Sequence, residues 1–133
     1  MNARHTQVLV TLLAGLLLLF GIALTFLPEE TGTALFGPGV PEIVLAVLGG
    51  ALIGLGYLNW MSRRAPIGGI YGRPVLLANL GHFVVAGLPL LRHCLAGSVT
   101  PWLWVITAVY LVGMVFYGSL LFIGPARPQT ANL

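Results

Sequence analysis

The chain is expected to fold as an all-α, four-helix transmembrane bundle, and three observations carry that expectation. Of its 133 residues 58% are hydrophobic and only 7% charged, against about 25% charged in an ordinary soluble domain. The mean hydropathy is +0.99. Four stretches, Val8–Leu27, Ile43–Met61, Val75–Leu91 and Trp102–Ile123, contain no Asp, Glu, Lys or Arg, and each is close to the roughly 20 apolar residues needed to cross a bilayer. The stretch "LVTLLAGLLLLFGIALTFL" is apolar on every side, so it lacks the alternation of a membrane β-strand. All of residues 1–133 therefore read as one integral membrane domain.

The first span is about 20 residues long, beyond the usual 7–15 of a signal-peptide core, and reads as a retained helix. The connection after it holds all three acids, Glu29, Glu30 and Glu42. The second span starts at Pro41, with Glu42 at the helix N-terminus where the dipole favours an anion. It carries Ala46, Gly50, Gly54 and Tyr57 on one face, broadened by Gly49 and Gly56, as a surface for a close neighbour. The third span shows a stripe of Asn79, His82, Ala86, Pro89 and His93. His82 lies about 10 Å inside it at 1.5 Å per residue. The fourth starts after Pro101 and adds Thr107, Tyr110, Met114 and Tyr117. Trp60, Trp102 and Trp104 stand at span ends, the headgroup level that aromatic rings prefer.

Charge sets the orientation. With four spans, Arg4, Arg63, Arg64, Arg73 and Arg127 share one side and Arg92 alone holds the other. Positive residues collect on the cytoplasmic side, so both termini are expected there. The loop "SRRAPIGGIYGRP" at 62–74 is then a topology anchor that also touches anionic lipid. The pI of about 9.6 reflects these few scattered arginines and does not point to nucleic acid.

Polar groups inside a membrane mark either interhelical hydrogen bonds or a functional site. Asn59, Arg73, Asn79 and His82 are expected near the cytoplasmic side on adjacent antiparallel helices, where they would line a small pocket with the arginine loop as its mouth. Arg63, Arg64 and Arg73 would meet an anionic head, and Gly68, Gly69 and Gly72 suit an amide nest beside Tyr71. The candidate ligand-binding set is Asn59, Arg63, Arg64, Tyr71, Arg73, Asn79, His82 and Tyr110.

Several chemistries have little to work with. No span carries a carboxylate for proton coupling, and the chain has no Asp for metal-dependent phosphotransfer. Cys94 is the single cysteine, so no intrachain disulfide or CxxC site exists. His82 and His93 share one helix face about 16 Å apart, so one chain cannot ligate haem between two histidines. The favoured reading is a non-enzymatic module that binds a lipid-like or anionic amphiphilic ligand or a partner membrane subunit. Membrane lipid and a second copy are further expected partners. The alternatives are a small dimeric transporter with His82 and Tyr110 on its path, and a quinone- or haem-associated redox subunit. No cofactor is indicated.

Four short spans, glycine-rich packing and the basic loop "SRRAPIGGIYGRP" after the second span resemble the DoxX-like group of small bacterial membrane proteins. The resemblance implies a multi-pass protein of the bacterial inner membrane and a link to quinone or respiratory chemistry. It assigns no residue.

Overall fold

The computed structural model describes residues 3–64 and 72–123. Among them are five helices and no strand: α1 (Ala3–Phe26), α2 (Pro28–Phe36), α3 (Glu42–Ser62), α4 (Gly72–Ala96) and α5 (Pro101–Phe122). Four are long and apolar enough to cross a membrane: α1 from Arg4 onward, α3, α4 and α5. This is the expected all-α fold with its four spans. Their outer faces carry large apolar side chains such as Leu19, Val47, Val85 and Val115, each about two-thirds exposed or more. An apolar surface of that extent fits lipid and not water.

The helices associate as two tight antiparallel pairs. In the first, α1 and α3 meet through glycine. A Cβ built on Gly49 would lie 2.6 Å from the Gly21 carbonyl oxygen, and one on Gly21 would lie 2.7 Å from that of Gly49. Further along, a Cβ on Gly56 would come within 3.1 Å of the Ala14 carbonyl oxygen. The backbones touch, the closest approach open to helices in lipid, where packing of small residues replaces the hydrophobic effect. The expected contact face of Ala46, Gly50, Gly54 and Tyr57 is not the one used. Gly50 and Gly54 have open space beside them, Tyr57 is 60% exposed, and the seam runs one residue around the helix through Leu45, Gly49, Leu52 and Gly56.

In the second pair, α4 and α5 meet through an aromatic ring on a glycine. Phe83 lies against Gly113, where a Cβ would stand 2.7 Å from the ring, and Gly87 faces Tyr110. Phe83 stacks on Tyr117, with ring centroids 5.6 Å apart and 15° between planes, and meets Tyr110 edge-on at 5.3 Å.

Residues 28–36 were expected to be plain connection, and they form α2 instead. Pro28 occupies the first turn, where its missing N–H costs nothing, and Glu29 and Glu30 follow at the favoured end of the dipole. Gly37, at φ +83°, ends the helix in a conformation that suits glycine. Nine residues with a modest apolar content are too short to be conspicuous beside four spans. Leu35 and Gly32 are buried, and Gly32 sits over Leu45 of α3. The Thr100 hydroxyl, just before α5, donates to the Leu35 carbonyl at 3.0 Å. So α2 straps the first pair to the second at the end opposite Arg63, Arg64 and Arg73.

Candidate functional site

The polar residues of the spans fall into groups at successive levels along the bundle. Near the arginine end, Asn59 of α3 and Asn79 of α4 are both fully buried. The Asn59 Nδ2 donates to Asn79 Oδ1 at 2.6 Å and to the Leu55 carbonyl at 2.9 Å. Asn79 Nδ2 donates back along its own helix to the Val75 carbonyl at 2.8 Å. The Tyr117 hydroxyl of α5 donates to Asn59 Oδ1 at 2.5 Å. One asparagine thus joins three helices. Among the described residues no buried side-chain nitrogen or oxygen lacks a partner. A buried polar group is costly only when unpaired, and here the pairing is complete, so these amides act as a clamp between the two helix pairs. Tyr117 belongs to this cluster and not to the expected binding set; its place seven residues beyond Tyr110 was the signal available in the sequence.

The arginines sit apart from the clamp. Arg63 turns back on its own helix: its guanidinium lies 4.0 Å over the Trp60 ring and donates to the Trp60 carbonyl. That arrangement caps the exposed carbonyls at the end of α3 and matches its dipole. Arg64 and Arg73 are exposed. Tyr71 and most of the glycine loop, from residue 65 onward, lie outside the described residues.

At the next level, one helical turn past Asn79 along α4, or about 5 Å at 1.5 Å per residue, His82 meets Tyr110 of α5. Its Nε2 is 3.1 Å from the tyrosine hydroxyl, and the two rings are 5.3 Å apart. The expected quartet is therefore divided. Asn59 and Asn79 are joined directly, while His82 pairs with Tyr110. Toward the α2 end, the Thr107 hydroxyl donates to the Leu103 carbonyl and lies 3.3 Å from the Cys94 sulfur, which is buried. Among the described residues no group of three His, Cys, Asp or Glu side chains is placed to hold a metal ion.

A space that sequence reasoning did not foresee lies between the two pairs. A cleft of about 190 Å³ opens between α1, through Leu13, Leu16, Leu17 and Phe20, and the α4/α5 pair, through Phe83, Val105, Ile106, Val109 and Tyr110. Its lining presents almost no polar surface, because Tyr110 directs its hydroxyl to His82. The cleft follows from the packing. Glycines pull α1 onto α3 and Phe83 fills the seam of α4 with α5, whereas bulky side chains face each other across the gap between pairs.

Comparison with known families, characterised proteins and solved structures finds no match to this chain. The geometry alone carries the functional reading.

Proposed function

We propose that this small integral membrane protein is a non-enzymatic module that holds the apolar tail of a lipid-like amphiphile in the cleft between its two helix pairs. The observation that carries the reading is the cleft itself: about 190 Å³, apolar throughout, and reached from the membrane-facing side of α1 and α5. Leu16 and Val105, both on its wall, are about half exposed, so a chain can enter sideways from the bilayer. Binding sites for small apolar molecules share this form, a preformed concavity lined by aliphatic and aromatic side chains. A prenyl tail belongs to the same class of occupant, which is where membership in the DoxX-like group would join this reading.

We place both termini in the cytoplasm on the arginine bias and, on the DoxX-like layout, take the membrane to be a bacterial inner membrane. Arg64 and Arg73 serve there as anchors to anionic lipid.

Native mass spectrometry of protein taken from its own membrane in mild detergent tests the proposal. Wild type should retain a discrete bound mass. Val109→Trp and Leu16→Trp, which fill the cleft from opposite walls, should lose it, while Arg73→Ala should keep it. A bare wild-type chain, or a mass that survives both tryptophan variants, refutes the tail site. Loss in Arg73→Ala alone would move the site to the arginine loop.

A further inference from the structure

We propose that the amphiphile held in the cleft carries an alkylammonium head, bound by Glu30 and Trp102 at the α2 end; this rests on the tail reading above. The cleft does not stop at Phe20. That residue, with Val105 and Ile106, also walls a second recess of about 390 Å³, so the two spaces adjoin. The second recess is bounded by Glu30, Thr31, Ala34 and Leu35 of α2 and by Trp102 of α5. A molecule that extends from the cleft past Phe20 into this recess would place its head among a carboxylate, a hydroxyl and an indole.

These groups match one head chemistry. A carboxylate attracts a cation, and the face of Trp is the strongest aromatic partner for an ammonium. Thr31 donates weakly to the Ala23 carbonyl at 3.4 Å, and its oxygen keeps lone pairs to accept from an N–H. Among the described residues no arginine or histidine lines the recess. The surroundings have the same sign: Glu29 and Glu42 wall the neighbouring recess, while Arg92 and His93, near the end of α4, line neither. Trp102 is the second residue of α5 and Glu30 lies in the link between two spans, so both stand at headgroup level, where a charged head stays hydrated. An anionic head would meet like charge here.

The test is a native mass spectrometric titration of the full chain in mild detergent at neutral pH, with dodecylamine, dodecanol and dodecanoate as probes. The amine should bind about tenfold more tightly than the carboxylate, the combined effect expected of one exposed ion pair and one cation–π contact. Glu30→Gln should cut the amine preference to about threefold, the share left to Trp102, and leave dodecanol binding unchanged, and Trp102→Leu should weaken the amine about threefold. Equal binding of amine and carboxylate to wild type, or an amine preference undiminished in Glu30→Gln, overturns the head assignment while leaving the tail site intact. Absence of binding by all three probes, or binding unaffected by Val109→Trp, overturns the tail site itself. A parallel titration with ethanolamine and glycerol phospholipids separates two sources of the ammonium: a phospholipid head if the ethanolamine lipid displaces dodecylamine, a free amine if it does not.

Discussion

Gly49→Ala and Gly50→Ala add the same methyl group at neighbouring positions of α3 and should have opposite consequences. The new Cβ at position 49 would stand 2.4 Å from the Thr25 hydroxyl, 2.6 Å from the Gly21 carbonyl oxygen and 2.9 Å from the Thr25 nitrogen. Two of these are backbone atoms and cannot rotate aside. Ordinary contact begins near 3.4 Å, so α1 must withdraw by roughly 0.8 Å, a gap that forfeits a quarter to a half of each dispersion contact along the seam. Overpacking of this kind costs about 1–3 kcal/mol. At position 50 nothing lies within 4 Å, and replacing an exposed helical glycine gains up to about 1 kcal/mol from propensity. The propensity gain is common to both positions, so the two variants should differ by the overpacking cost, about 1–3 kcal/mol. The assay is loss of helical circular dichroism as SDS replaces a mild detergent, compared by transition midpoint. Equal midpoints for the two variants, or a lower one for Gly50→Ala, would refute the assignment of α1 to the Gly49 face.

The same titration should show Asn59→Leu destabilised by about 1–3 kcal/mol, since Asn79 Oδ1 and the Tyr117 hydroxyl both lose their partner. Tyr117→Phe removes a single bond and should cost about 0.6–1.7 kcal/mol, with the double variant costing less than the sum. Cys94, 3% exposed beside Thr107, should resist maleimide in mild detergent and react fully once SDS unfolds the bundle; rapid labelling of the folded protein would contradict its place between α4 and α5. In a Cys94→Ser background, a membrane-impermeant maleimide should label Glu30→Cys from outside intact cells and Arg64→Cys only after lysis. The reverse pattern would overturn the orientation.

The spans were legible in the sequence because their signal is local. Apolar runs without charge, Pro41 and Pro101 at helix starts and tryptophans at the ends need no knowledge of neighbours. Part of the polar chemistry was legible too: Asn59 and Asn79 do stand together near one end, on adjacent helices. Their partner Tyr117, the separate pairing of His82 with Tyr110, and the fold-back of Arg63 onto Trp60 were not.

Rotation is the reason. A soluble helix announces its buried face by an apolar stripe, but α3 and α5 are apolar all round and their sequences do not say which side meets protein and which meets lipid. Gly49 and Gly50 are the same residue to a sequence pattern; only the approach of α1 makes one a contact and leaves the other open. The membrane and the four spans are thus properties of composition and spacing. The two pairs, the amide clamp between them, the α2 strap and the apolar cleft arise from close packing across helices, where a shift of less than an ångström decides which side chains touch and which enclose a space.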